Sequence, residues 1–313
     1  MWITSSTAKV LKPNAIALGN FDGIHRGHLE VLRPILPPSL AKTFGSFKIY
    51  STVVSFEPHP HQFFTGKSKK LLTTIAEKEK LLADLGVNGL LLLPFDRQLA
   101  SLTPQEFVEN ILISQLEVKK ISVGQDFRFG RDRSGNVRSL QEIAAKFGVE
   151  TTIVSLQNSS EERRISSSLI RSALEAGQLD LANQMLGRNY SLMGVVVSGK
   201  QLGRTIGFPT ANLNLPPLKL IPRQGVYSVR VAIEPSLDLI KGVMNIGYRP
   251  TVSGDRQLSV EVHLLDWSGD LYDRILTVEL MRFLRPEQKF SSIEALKSQI
   301  ALDCQLARQT LDT

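Results

Sequence analysis

The stretch Ala15–His28, AIALGNFDGIHRGH, decides the fold. Its apolar run, Ala15–Leu18, reads as a buried strand. Gly19-Asn20-Phe21-Asp22-Gly23-Ile24-His25-Arg26-Gly27-His28 then links that strand to the first helix. In an open parallel sheet, ligands bind in the crevice at the carboxyl ends of the strands. Gly19 and Gly23 allow a sharp turn and a close approach to a ligand. His25 and His28, three apart, share a face at the helix N-terminus, where free N–H groups and partial positive charge favour anions. Two imidazoles there can donate hydrogen bonds to a polyphosphate and stabilise charge that builds up on phosphorus. Pro34 predicts that the helix is short or kinked. Two plainer readings stand beside this one. The histidines could simply be surface residues, or His25, His28, His59 and His61 could form a metal site. The glycines beside the loop histidines suit a phosphate cradle better.

Outward from this loop, the first half alternates strands and helices. Ile49–Phe56, Gly89–Leu93, Ile121–Val123 and Thr151–Leu156 are short apolar or β-branched runs. Thr74-x-x-Glu77, Thr103-x-x-Glu106 and Ser139-x-x-Glu142 read as capping boxes. Pro104 suits a first helical position, and Gly86 and Gly148 suit helix ends. The alternation predicts a Rossmann-like α/β domain, a parallel sheet with helices on both faces. Two short helices, about 168–176 and 180–186, close a first domain of residues 1–187. After Gly187 strands dominate, at about 191–197, 226–233, 240–246, 258–265 and 275–284. Pro216-Pro217, Ser253-Gly254 and Ser268-Gly269-Asp270 supply turns between them. Residues 188–313 are therefore expected to form a closed β-barrel with a terminal helix at about 291–310. Ile293, Leu296, Ile300, Cys304 and Ala307 fall on one face of that helix, so Cys304 reads as a core residue.

Composition bounds the function. The 313 residues fit two domains, and 42% hydrophobic against 21% charged residues suffices for a core in each. The net charge is +7, with 22 basic and 18 acidic side chains in residues 1–187 and 15 and 12 in the remainder. A mild, evenly spread excess suits small anionic ligands, and without a basic tail it argues against nucleic acid. The single cysteine excludes an intrachain disulfide and a cysteine-rich zinc site, and fits a reducing compartment. Lys9, Lys12 and Pro13 break the N-terminal apolar runs, so no signal peptide is read there. The longest purely apolar run, near Leu90–Leu93, is far short of a membrane span. A cytoplasmic protein without a membrane partner is expected.

The second half has its own candidates. Gly194-x-x-x-x-Gly199-Lys200-Gln201 lacks the Ser/Thr of a P-loop, and its interior reads as strand. The informative run is Gly203-Arg204-Thr205-Ile206-Gly207-Phe208-Pro209-Thr210-Ala211-Asn212. Composition leaves two readings open, a loop that wraps a polyphosphate or an ordinary Pro-Thr turn. In the first reading, the Thr210 hydroxyl and Asn212 carbonyl are hard oxygen donors that suit Mg²⁺. Val260, Val262 and Leu264 alternate to one face of a strand, so Glu261 and His263 point to the other. A solvated strand face is the alternative.

These motifs resemble known families. The first loop is similar to that of the His-x-Gly-His nucleotidyltransferases, and more closely their bacterial FAD synthetase branch. Phe56-Glu57-Pro58-His59-Pro60, Val123-Gly124-Gln125-Asp126-Phe127-Arg128-Phe129-Gly130 and Arg164-Ile165-Ser166-Ser167-Ser168-Leu169-Ile170-Arg171 match further segments. The resemblance implies ATP binding by Gly19, Asn20, Phe21, Asp22, Gly23, His25, His28, Arg164, Ser167, Ser168 and Arg171. His25, His28 and Arg171 would be catalytic, and His59, Asp126, Phe127 and Arg128 would bind flavin. Ser168 fits a helix N-cap, and Arg171 can fork onto phosphate oxygens. Many members have Thr-Arg where this chain has Ser168-Leu169, so one positive charge is missing and the transition state leans more on Arg171 or Arg164.

Residues 203–212 resemble the Pro-Thr-Ala-Asn signature of riboflavin kinases. Gly225-Val226-Tyr227, Asn245-Ile246-Gly247-Tyr248-Arg249-Pro250-Thr251, Val260-Glu261-Val262-His263 and Leu284-Arg285-Pro286-Glu287 follow in that family's order. The resemblance implies ATP on Gly203, Thr205, Gly207, Pro209, Thr210 and Asn212, with Mg²⁺ carried by ATP and held by Thr210 and Asn212. Glu261 would take the proton of the riboflavin 5′-hydroxyl, and Arg285 and Glu287 would hold flavin. Asp273 stands where the family often has Gly, a change expected in a turn rather than in the chemistry. Together the two halves resemble the prokaryotic bifunctional riboflavin kinase/FAD synthetase family, with riboflavin, FMN and ATP as substrates. An enzyme with one active half, the adenylyl-transferring half being weakened by Leu169, is the alternative. A flavin-binding regulator without turnover is another, but it would need neither a base nor a metal loop.

Overall fold

The structure, a computed structural model, describes residues 1–44, 47–155, 165–199, 202–236, 238–250 and 256–311. Packing divides the chain into two units, Met1–Ser167 and Ser168–Thr313. In the first unit the strands are β1 (Trp2–Thr4), β2 (Asn14–Leu18), β3 (Tyr50–Glu57), β4 (Gly89–Pro94), β5 (Val118–Gly124), β6 (Arg128–Phe129), β7 (Gly135–Asn136) and β8 (Glu150–Val154). Six of them form one sheet, ordered β1-β4-β3-β2-β5-β8, and every pairing in it is parallel. Strands β6 and β7 pair as a separate antiparallel ribbon. The helices are α1 (Arg26–Leu32), α2 (Pro37–Phe44), α3 (Pro60–Thr65), α4 (Ile75–Asp84), α5 (Arg97–Ser101), α6 (Pro104–Glu106) and α7 (Val137–Ala145).

Strand β2 is buried on both faces, as a central parallel strand must be. Ile16 and Leu18 pack with Val108, Leu112 and Leu140, whereas Ala15 and Ala17 pack with Phe21, Leu32 and Ile35. The boxes at Thr74 and Thr103 cap α4 and α6, and α6 continues as a π-helix over Phe107–Gln115. The box expected at Ser139 starts three residues earlier. Asn136 Oδ1 accepts the N–H groups of Arg138 and Ser139, and the Ser139 hydroxyl accepts the Asn136 N–H. Ser139 is thus the far corner of the box. Strand β1, three residues long, is too short to show any period in the sequence; its register on β4 defines it.

The second unit carries α8 (Ser167–Ala176, whose first residue ends the first unit), α9 (Leu179–Leu186), α10 (Leu202–Thr205) and α11 (Ile293–Leu311). Its strands β9 (Ser191–Val197), β10 (Ala211–Asn214), β11 (Gly225–Ile233), β12 (Leu239–Pro250), β13 (Arg256–Leu264) and β14 (Ile275–Arg285) close a barrel in the order β10-β13-β12-β11-β14-β9. Strand β10 corrects the reading of residues 203–212 as loop throughout, since Ala211 and Asn212 pair with β13 and Asn212 also pairs with β9. Cys304 is buried with Val226, Val243, Ala307 and Leu311. Ile293, expected on the same face of α11, is 58% exposed, so only the later turns of the stripe are covered. Asp273 adopts a φ of 61°, a left-handed conformation that glycine takes without cost. Among the described residues no helix is long and apolar enough to cross a membrane.

Helices α8 and α9 are tied to the barrel strands. The Asn183 amide donates to the Leu280 carbonyl (3.2 Å), Tyr190 N–H donates to Asn183 Oδ1 (2.8 Å) and Arg223 N–H to the Leu174 carbonyl (2.9 Å). A fragment of residues 188–313 is expected to fold, but to melt roughly 10 °C below a fragment of residues 168–313, because a few kcal/mol of stability leave with the helices. Equal melting temperatures would mean that the helices add nothing to the barrel.

Candidate active sites

In the first unit the chain runs outward from β2 through β3 and β4, then returns to place β5 on the other side of β2. The carboxyl ends of β2 and β5 are therefore the switch point of the sheet, where such folds bind ligands. The loop after β2 is pinned from both sides. Phe21 and Ile24 have positive φ values of 47° and 39° and buried side chains, a conformation kept because both rings and branches are locked in the core. Gly23, at φ 87°, donates its N–H to the Thr73 hydroxyl at 3.0 Å. Asp22 Oδ1 accepts Thr73 N–H at 3.1 Å, and the Asp22 carbonyl accepts the Ser167 hydroxyl at 2.8 Å.

His25 caps α1. Its Nδ1 accepts the backbone N–H of His28 at 3.3 Å, which leaves the ring proton of neutral His25 on Nε2. The two imidazoles stack with centroids 3.7 Å apart, and Phe21 meets His28 edge-on at 5.3 Å. The pair thus brings two imidazoles together at one helix end. His59 is drawn into the same loop, with Nε2 at 2.9 Å from the Asn20 side-chain amide. Among the described residues no three His, Cys, Asp or Glu side chains are grouped to hold a metal ion. Asp126 Oδ1 lies over Gly124 at the end of β5, and the Phe127 and Phe129 rings stack at 5.7 Å. Arg128 lies exposed on β6. Helix α8 starts at Ser167, so Ser168 belongs to its first turn instead of capping it. Ser168 and Arg171 belong to the second unit, and Arg164 lies outside the described residues.

Sequence reasoning missed Lys78. This buried lysine, on α4, donates from Nζ to the Asn20 carbonyl at 2.8 Å, which also accepts the Ser55 hydroxyl at 3.3 Å. Burial pushes its ammonium down from the usual lysine range, and the carboxylates of Asp22 and Glu57 pull it back. Its contact holds the loop's backbone from beneath. Its only trace in the sequence was its place in the first turn of a well-capped helix. Phe56, Phe63, Phe64 and Phe95 gather at the carboxyl ends of β3 and β4, with neighbouring ring centroids 5.2–5.8 Å apart.

The second site is a rung of the barrel. In cross-strand register Asn212 opposes Glu261, Glu261 opposes Asn245, Asn245 opposes Val226, and Val226 opposes Arg285. Direct partners point to the same face, and all five residues line one cavity of about 350 Å³. The Thr210 hydroxyl donates to Glu261 Oε2 at 3.3 Å, and the Ser259 hydroxyl to Glu261 Oε1 at 3.2 Å. His263 Nδ1 lies 2.7 Å from the Pro209 carbonyl. Gly203 and Glu287 also line this cavity, whereas Thr205, Gly207 and Pro209 are not among its lining. Phe208, Val243, Leu296 and Ile300 make an apolar wall of the same cavity. Cys304 belongs to that wall, and burial pushes its thiol up from the usual range. Asn245, part of a quoted motif but not assigned a role, is brought beside Glu261 by register alone. Lys200, Gln201 and Thr251 lie outside the described residues.

Comparison with known proteins follows the same division. The FAD synthetase family model matches residues 7–169 and the riboflavin kinase model residues 186–311. The two matches define a transferase with a separate site in each half. A bifunctional riboflavin kinase/FMN adenylyltransferase of Escherichia coli strain K12 is 43% identical, over 94% of this chain and 91% of its own. One of Haemophilus influenzae is 39% identical, over 96% and 95%. A crystal structure described as a macrolide-efflux protein of Streptococcus pneumoniae superposes with a TM-score of 0.84 and 31% identity, over 98% of both chains. The chain belongs to the family of bifunctional riboflavin kinase/FMN adenylyltransferases.

Proposed function

We propose that this chain makes FAD in two transfers, each in one half. The barrel phosphorylates riboflavin with ATP to give FMN and ADP. The N-terminal half moves AMP from a second ATP to FMN, giving FAD and pyrophosphate. The observation that carries this reading is that each matched family falls on a half with its own assembled site, the stacked histidine pair in one and the Asn212–Glu261–Asn245 rung in the other. The functional boundary is placed at 187/188, with Ser167, Ser168, Arg171 and Arg164 serving the adenylyl transfer.

In the barrel, Glu261 takes the proton of the riboflavin 5′-hydroxyl as its oxygen attacks the γ-phosphorus of ATP. The Thr210 hydroxyl, 3.3 Å away, orients that carboxylate in the free protein. Thr210 and Asn212 offer one hydroxyl and one amide oxygen. That sparse, hard donor set fits a magnesium ion that takes its other ligands from ATP phosphates. Bound there, the ion would neutralise charge on the transferring phosphoryl group. Gly203, Thr205, Gly207 and Pro209 shape the backbone around the triphosphate. The apolar wall receives the flavin ring, with Arg285 and Glu287 at its edge.

In the N-terminal half no protein nucleophile is used. A phosphate oxygen of FMN attacks the α-phosphorus and pyrophosphate leaves. His25 and His28 donate hydrogen bonds to the charge that develops, so catalysis is positioning plus electrostatics. Gly19, Asn20, Phe21, Asp22 and Gly23 cradle the nucleotide, and Arg171 supplies the charge that Leu169 does not. His59, Asp126, Phe127 and Arg128 hold the flavin, beside the flat faces of the phenylalanine group. The substrates are small anions and flavins, with neither nucleic acid nor membrane as partner, and the place of action is the cytoplasm. The test is an assay of the full chain with riboflavin, ATP and Mg²⁺ that resolves FMN from FAD. Both products should appear in sequence. Flavin binding without either product would favour a regulator, and one product alone would leave a single active half.

A further inference from the structure

The kinase cavity has a carboxylate that none of the quoted motifs contains. Asp303, on α11, is 2% exposed and lines the cavity. Arg285 Nε donates to both its oxygens, at 2.9 and 3.1 Å, and Arg285 Nη2 donates to Oδ2 at 2.7 Å. The Gln299 amide adds a fourth contact, at 2.9 Å to Oδ1. A buried carboxylate is costly unless its lone pairs are met; here a guanidinium fork and an amide meet them, the arrangement that fixes an arginine in one geometry.

What Arg285 does with its remaining donor gives the pair a purpose. Nη1 donates to the Pro286 carbonyl at 3.1 Å, and the guanidinium lies 5.9 Å from the Phe290 ring centroid. The stretch between strand and helix is thus held at its start and near its end by one side chain. That stretch carries Glu287, Gln288 and Phe290 into the cavity wall. It is also seated on β12, because a Cβ on Gly247 would lie 1.8 Å from Glu287 Oε1. Only a residue without a side chain lets that carboxylate settle there. Arg285 itself opposes Val226 on the rung that holds Glu261.

We propose that Asp303 is a positioning residue of the riboflavin-phosphorylating site. Through Arg285 it fixes residues 286–290 as the wall against which the flavin is pressed. The inference rests on the reading of the barrel as the riboflavin kinase. Asp303 touches no reacting atom; it sets how well the pocket is formed before flavin arrives, and so acts on flavin affinity more than on the chemical step.

The test uses the full chain, whose adenylyl transfer serves as an internal control. Asp303→Asn keeps the shape but removes the charge that orders the fork. The expected result is a riboflavin KM about tenfold higher, with kcat and the ATP KM within about twofold of the parent and FAD formation from supplied FMN unchanged. Arg285→Lys, which keeps the charge and loses the fork, should raise the riboflavin KM similarly, and the double variant should be no worse than either single one. A lower melting temperature with an unchanged riboflavin KM would overturn the proposal and make the pair a helix anchor. A fall in kcat at unchanged KM would overturn it too, by placing Asp303 in the chemistry. If Asp303→Asn does not fold, Gln299→Leu, which removes a partner of Asp303 alone, carries the same readout. Failure of the parent chain to make FMN would instead remove the kinase reading itself.

Discussion

Glu261→Gln should lower FMN formation roughly 10²–10⁴-fold, while FAD synthesis from supplied FMN stays at the parent rate. Gln keeps the size of Glu and can still accept from Thr210 or Ser259, which now lie 3.3 and 3.2 Å from the carboxylate. What it cannot do is accept the hydroxyl proton. The rung argues for so large an effect, since Glu261 stands between Asn212 and Asn245, facing the cavity. Riboflavin binding should change far less, because the lost interaction matters mainly in the transition state. A solvated strand glutamate would tolerate the change, so near-normal kinase turnover would remove Glu261 from the mechanism. Measuring both half-reactions on one purified variant separates the two outcomes, and retained riboflavin binding shows that the barrel is intact.

His28→Ala should have the complementary effect, with FAD formation lowered on the order of 10²–10³-fold and FMN formation spared. The expectation comes from the stacked pair at 3.7 Å, in which two rings share one helix end. Removing one ring takes away a preorganised donor and the surface on which His25 rests. His28→Asn refines the test, because it restores a donor without the ring; recovery of part of the rate would assign the loss to the hydrogen bond. Undiminished FAD synthesis by His28→Ala would detach this loop from adenylyl transfer.

Much of this was legible in the chain because local chemistry wrote it there. The capping boxes at Thr74 and Thr103, the left-handed glycines at 86 and 148, and the alternation around Glu261 each depend on residues within a few positions of one another. The features that escaped depend on distance in sequence. Strand β10 is four residues whose identity as strand comes from β9 and β13. Lys78 reads as an ordinary helical lysine until the Asn20 carbonyl is placed over it. Asp303 reads as polar interruption of an apolar stripe, and only the return of β14 beneath α11 gives it Arg285 as partner. At Ser139 the error was local: two overlapping boxes were possible, and Asn136, an equally good cap, took the earlier one.

The way the barrel closes also has a consequence for how the protein is made. Strand β9, the first of the barrel to leave the ribosome, is held by β10 on one side and by β14, the last, on the other. At ordinary translation speeds the interval from Ser191 to Arg285 is roughly 5–20 s, and during it the nascent sheet has a free edge at β9 and another at β11. The N-terminal unit needs nothing from that stretch for its own sheet and can be complete throughout. A stalled or truncated chain lacking β14 would therefore pair its bare edges with a neighbour's, so the danger of misassembly for this enzyme lies in the wait for one late strand.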